Sequence, residues 1–345
     1  MTPLPDHRRL AVRSLLSLPA PVLRALSGGA AVHKAGRTLD PRLQFLSRHA
    51  ARADAATPQS ADEIREQQAA TDRDLLGRVE PGVAVEPINV PGGGGDLQGR
   101  LYRTGAPARA LLLWFPSGGG VVPGLIRDEP LCSMLAAIGG CEVAAVQPRL
   151  APEHRFPAPL DDALAALEWG RRDAATRGLG GVAVGGAGLG ASLAAAVCAV
   201  GGQPRPVLQV LVSPWLDLAG DQASIGLFAD SWPVTAADIA WRAGQVLGAD
   251  TDPAAPRVSP LRARDLGGLP PVVLVTGGFD PLADQGEAYA RRLRGARVPV
   301  RYRRHDALAN DFHVMTGAIP AADAACRETA ALVREALEAQ AAPTA

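Results

Sequence analysis

The chain has 345 residues, 47% of them hydrophobic and 20% charged, which is ample material for a large buried core. Its 35 basic and 35 acidic residues cancel to a formal net charge of zero, so nothing draws it electrostatically to nucleic acid or an anionic membrane. No apolar run approaches the roughly 18 residues of an integral membrane segment.

Residues 1–80 read as a helical N-terminal cap without a strand pattern. Arg13 and Pro19 interrupt the apolar stretch from His7 to Pro19, so it reads as an amphipathic cap helix lying against a lipid-like substrate or a membrane surface, not as a signal peptide. Ser60 and Glu63 stand at capping-box spacing and open a helix reaching about residue 77.

The pattern changes at Pro81-Gly82, where the second region, 81–345, begins. Val83–Val90 and Leu97–Arg103 alternate as strands around a glycine-rich turn. Strands are then expected at Ala110–Phe115, Glu142–Val146, Val182–Val184, Val207–Val212, Val272–Thr276 and Val298–Arg303. Helices are expected at Asp128–Ile138, Leu160–Asp173, from the end of the Val182 strand to Val200, Pro281–Leu293 and Ala321–Ala339. Near-continuous apolar strands alternating with helices predict an α/β fold with a mostly parallel, eight-stranded sheet covered on both faces. The stretch 215–250, with Trp215, Trp232 and Trp241, breaks this rhythm and is read as a cap contribution near the substrate site.

The four cysteines, Cys132, Cys141, Cys198 and Cys326, match no zinc or redox spacing and read as buried small hydrophobes in a reducing cytoplasm. No residue pattern calls for a metal or a cofactor.

The segment Val182-Ala-Val-Gly-Gly-Ala-Gly-Leu-Gly-Ala191 has glycines at 186 and 190 in the G-x-S-x-G frame, but its central residue is Gly188. Arg149-Leu-Ala-Pro-Glu-His-Arg-Phe-Pro157, Ser259-Pro-Leu261 and Gly278-Phe-Asp-Pro-Leu282 accompany it in order. On these segments the chain, over roughly 38–340, resembles the hormone-sensitive-lipase-like (bacterial family IV) α/β-hydrolases. The resemblance implies an α/β-hydrolase fold and an esterase-like pocket. The chain departs from it at the site. Ser117-Gly-Gly-Gly120 stands for His-Gly-Gly-Gly, Gly188 for the nucleophile serine, and Asn310 for the catalytic histidine, while the acid, Asp280, remains.

Acyl-enzyme chemistry needs an oxygen nucleophile and a base, and neither Gly188 nor Asn310 supplies one. The oxyanion hole is built from backbone N–H groups and survives such changes, so Gly118, Gly119 and Leu189 are read as ligand-binding residues, with Ser117 beside them. Glycine also relieves the backbone strain of an elbow residue and leaves a side-chain-sized space. Asp280 is read either as an acid/base or as a helix cap ahead of Pro281. Asn310 could donate to it in place of the imidazole. His313 is the candidate displaced base, ahead of His305, and Ser117 and Ser192 are the only nearby hydroxyls for a relocated nucleophile.

These residues lead first to non-hydrolytic chemistry (cyclisation, elimination or isomerisation) on a small, apolar or aromatic, carbonyl-containing ligand. A non-catalytic protein binding a small ligand or a pathway partner is the alternative, followed by a hydrolase with a relocated nucleophile. The last strand and closing helix offer an edge for a homodimer.

Overall fold

A computed structural model describes residues 7–53 and 60–341. The chain opens with α1 (His7–Leu16), α2 (Ala20–Leu26), β1 (His33–Lys34), β2 (Arg37–Thr38), α3 (Pro41–Ala53) and α4 (Ala61–Leu75). The capping box predicted for α4 is present: Ser60 Oγ accepts from the Glu63 amide, and the Glu63 carboxylate accepts from the Ser60 amide. The expectation of a strand-free N-terminal region is corrected by the β1–β2 hairpin, whose loop residues Ala35 and Gly36 both have positive φ, as a tight two-residue hairpin turn requires. Strands of two residues carry no periodicity by which a sequence could reveal them.

The body follows as β3 (Ala84–Gly92), β4 (Gly95–Arg103), β5 (Leu111–Phe115), α5 (Glu129–Ile138), β6 (Glu142–Val146), α6 (Ala158–Thr176), β7 (Val182–Ala187), α7 (Leu189–Val200) and β8 (Gln209–Val212). After two short helices, α8 (Ala223–Leu227) and α9 (Ala236–Val246), come β9 (Val272–Phe279), α10 (Ala283–Gly295), β10 (Val300–Ala309) and α11 (Pro320–Ala341). Eight strands form one sheet in the order β10-β9-β8-β7-β5-β6-β4-β3, antiparallel only where β4 meets β3 and β6. The predicted α/β architecture is therefore the observed one. The stretch 215–250, which broke the strand-helix rhythm, holds the two short helices α8 and α9.

Side-chain alternation along β5 explains the layers. Leu112 and Trp114 pack with Leu131 and Leu135 of α5 and Val333 of α11, whereas Leu111, Leu113 and Phe115 pack with Leu160 of α6 and Val197 of α7. Both faces are covered, so the whole strand is apolar. A third cluster joins Ile64 of α4, Leu189 of α7, Trp215, and Ile239 and Val246 of α9 over the carboxyl end of the sheet. Among the described residues no helix is long and apolar enough to cross a membrane.

Candidate ligand site

β7 and α7 are separated by Gly188 alone, and this sharp turn gives it φ 56° and ψ −121°. That conformation disfavours any residue with a Cβ. The neighbouring glycines serve another purpose. A Cβ at Gly190 would lie 2.0 Å from the Phe115 carbonyl oxygen, and one at Gly186 would lie 2.4 Å from the Gly190 carbonyl carbon. These two let α7 cross close to β5 and β7. At Gly188 an added Cβ would meet nothing within 4 Å, so the turn faces open space.

Parallel pairing of Phe115 with Gly186 brings the loop after β5 beside this turn. Gly118, Gly119 and Gly120 have φ of 107°, 61° and 76°, a run open to glycine at little cost. A Cβ on Gly118 would lie 2.1 Å from the Val122 carbonyl oxygen, and one on Gly119 would lie 2.7 Å from Arg242 Cδ. Gly118 O accepts from the Val121 and Val122 amides and from Arg242 Nη1 at 2.7 Å. Among the described residues the amides of Gly118, Gly119 and Leu189 donate to no protein acceptor.

A cavity of about 30 Å³ lies at this junction, with Gly118, Gly119, Gly188, Leu189, Arg242 and Asn310 in its lining. That is room for about two waters or one small polar group. Trp215, Ile239 and Leu282 make its apolar wall, with Val234, and Asp311 completes the lining. Of the three tryptophans in 215–250, this cavity takes only Trp215. Trp232 lines a larger cavity of about 230 Å³ with Leu39, Gln44 and Phe279, away from the loop glycines.

Register also explains the acid side. Ala309 of β10 pairs with Phe279 of β9, so the next residues, Asn310 and Asp280, emerge side by side. Asn310 Nδ2 donates to Asp280 Oδ1 at 2.9 Å, and the Leu282 amide donates to the same oxygen at 2.7 Å. Asp280 Oδ2 has no hydrogen-bond partner. Burial pushes the carboxyl up to about 6; the Asn310 amide and the Leu282 N–H oppose this, and Asp311 adds to it. The helix expected from Pro281 begins at Ala283, so Asp280 closes the turn ahead of α10 instead of standing at its N-cap. Asp280 is fully buried and does not line the cavity; it meets the lining through its hydrogen bonds from Asn310 and the Leu282 amide.

The structure does not bring the predicted His313 to this cavity. It is fully buried, with Nε2 3.2 Å from Asp128 Oδ1. Asp128 also accepts from Trp114 Nε1 (2.7 Å), the Ser117 amide (2.9 Å) and Ser117 Oγ (2.5 Å). Burial opposes ionisation of Asp128, but His313 and these donors hold its carboxyl below the ordinary value. Ser117 is thereby turned from Gly188 and lines a separate pocket of about 20 Å³. Ser192 donates to the Trp215 carbonyl oxygen. His305 is packed edge-on against Phe312, with burial lowering its pKa. Neither hydroxyl and neither histidine lines the cavity at Gly188.

Sequence reasoning missed Arg242, Asp311 and Arg127. Arg127 pairs through Nη1 with Asp72 (2.8 Å) and through Nη2 with Asp311 (2.8 Å). An Arg-Asp pair ahead of α5 and an arginine on α9 look like ordinary solvent-facing charges, and no local signal separates them. Among the described residues no cluster of His, Cys, Asp and Glu could hold a metal ion.

The sequence model of a family described as alpha/beta hydrolase fold matches residues 112–314. The carboxylic ester hydrolase LipN of Mycobacterium tuberculosis (strain ATCC 25618 / H37Rv) is 37% identical over 319 residues, covering 88% of this chain and 84% of its own length. An ethyl acetate hydrolase of Pseudomonas putida is 33% identical, covering 81% of this chain and 90% of its own. Among solved structures, the ester-hydrolase EH1AB1 from the metagenome of Lake Arreo superposes with a TM-score of 0.81 at 30% identity, covering 86% of this chain and 98% of that one.

Proposed function

This chain belongs to the alpha/beta-hydrolase-fold family, with ester hydrolases among its relatives, and from that premise we propose that it has given up ordinary Ser-His-Asp ester hydrolysis while keeping the oxygen-binding part of the pocket. The site holds a small oxygen-bearing ligand on the amides of Gly118, Gly119 and Leu189. Residues 1–80 and 215–250 serve as its cap.

The observation that carries this reading is the open space at Gly188. The turn that would present a nucleophile presents none, and the amides around it have no protein acceptor. A hydroxyl nucleophile and a base are both required for the acyl-enzyme route; the cavity lining has no hydroxyl and no imidazole, and its one carboxylate, Asp311, is paired with Arg127. Free N–H groups at a helix start still favour a carbonyl or carboxylate oxygen.

Ligand binding is the leading reading, because Asp280 closes a turn and is not itself in the cavity lining, standing behind Asn310 and Leu282. Non-hydrolytic chemistry, such as cyclisation, elimination or isomerisation of a small carbonyl compound, is the second. One observation favours it: a carboxyl pushed up to about 6, with one oxygen unpartnered, sits one side chain from the cavity. A relocated nucleophile is disfavoured by the hydrogen bonds that occupy Ser117 and Ser192.

The test is hydrolysis of p-nitrophenyl acetate and butyrate by the purified chain. No turnover above buffer is expected. Robust turnover that disappears in Ser117→Ala would overturn the proposal.

A further inference from the structure

Arg242 is a buried cation without a counterion in contact. It is 8% exposed, projects from α9, and lines the cavity with Gly118, Gly119 and Gly188. Its single hydrogen bond among the described residues is the one from Nη1 to Gly118 O. It makes no ion pair there. Arg127, the other deeply buried arginine of this region, has two carboxylates in contact. Burial weakens the protonated form of Arg242, and the more distant Asp311 compensates only in part. A guanidinium has five N–H donors and matches a carboxylate in plane.

We infer that the cavity at Gly188 is a carboxylate-binding site, in which Arg242 supplies the positive charge and the amides of Gly119 and Leu189 supply further hydrogen bonds. The inference rests on the reading above, that these amides hold a ligand oxygen, and it names the ligand class: a small monocarboxylate with an apolar body.

Three features support the class. The volume of about 30 Å³ suits a carboxylate head. The amide of Leu189 opens a helix of twelve residues, whose positive end favours an anion. Trp215, Ile239 and Leu282 give the apolar body a wall. One anion, Asp311, shares the lining, but its carboxylate is engaged by Arg127 at 2.8 Å. The stem of Arg242 packs against Gly119, where a Cβ would lie 2.7 Å from Cδ, so the loop and the cation are built around each other.

The experiment is a ligand-observed NMR titration of the full chain in a buffer free of carboxylate. The probes are acetate, propionate and benzoate, each beside its neutral amide. Each carboxylate is expected to bind at least about tenfold tighter than its amide, as a charge-assisted pair implies. Arg242→Met should abolish that preference. Arg242→Lys should keep a reduced preference. If Arg242→Met fails to fold, the lysine variant and a chloride series on the unaltered protein carry the test, the preference falling as chloride rises. Equal binding of acid and amide, or a preference that survives in Arg242→Met or is insensitive to chloride, overturns the inference. Amide binding without carboxylate binding overturns it while sparing the carbonyl-pocket reading. Binding of neither probe class overturns both.

Discussion

Asn310 donates from Nδ2 to Asp280 Oδ1 across 2.9 Å, and both side chains are buried at the carboxyl end of the sheet. The amide keeps the hydrogen bond that an imidazole N–H would make to an orienting acid, but it has no basic nitrogen to take a proton. On the proposed reading, Asp280 keeps the position of an orienting acid and has no base to orient.

Restoring the two missing groups tests this. Gly188→Ser has open space for its side chain, but its backbone conformation costs a non-glycine residue about 1–3 kcal/mol, so a lower melting temperature and no esterase activity are expected. Adding Asn310→His supplies the base next to Asp280. The double variant should exceed the single by roughly 10²-fold or more in p-nitrophenyl acetate turnover. Equal rates in single and double variants would show that the imidazole is not placed as the amide is.

The Asp280 carboxyl titrates at about 6 in the folded chain against an ordinary 3.8. Its folded pKa is raised, so between these values the folded state holds the proton more tightly than the unfolded state. Stability is therefore lost as pH rises through this window, and the full cost is felt above about 6. Asp280→Asn removes the ionisation, and above that pH its unfolding free energy, read from urea melts, should exceed that of the unaltered protein by on the order of 2–3 kcal/mol. A constant difference between pH 4 and 8 would contradict the buried acid.

Gly190 and Gly188 should respond differently to alanine. At Gly190 the new Cβ would lie 2.0 Å from the Phe115 carbonyl oxygen, a backbone clash that forces α7 away from β5 and costs about 3 kcal/mol or more. At Gly188 only the backbone angles are strained, at about 1–3 kcal/mol. Denaturant midpoints should rank Gly188→Ala well above Gly190→Ala.

Arg127 is 2% exposed and ties Asp72 of α4 to Asp311 after β10. Arg127→Met leaves two buried carboxylates without their partner and should cost about 3–5 kcal/mol, read as a lowered urea midpoint. Adding Asp72→Asn and Asp311→Asn should recover part of that loss.

The sheet was legible because its signals are local. Glu142–Val146 matches β6 residue for residue, and the others differ mainly at their ends; Val298–Arg303 proves to be the longer β10, Val300–Ala309. The N-terminal hairpin at His33–Thr38 was not legible, since two-residue strands have no period to detect. Gly188 and Asn310 were found as departures from a recognisable pattern, but only the pairing of Ala309 with Phe279 brings Asn310 against Asp280.

By itself the sequence determined the α/β architecture, the glycine frame of the turn at Gly188, and the absence of a hydroxyl and an imidazole at two expected positions. Those are properties of residue type and short-range spacing. Tertiary structure alone decided which charges meet the cavity. Arg242 reaches the Gly118 carbonyl across 124 positions of chain, and His313 is drawn to Asp128 across 185, away from the turn it was expected to serve. A side chain's partner depends on where the sheet order carries its element, and the residues around it in sequence hold no record of that.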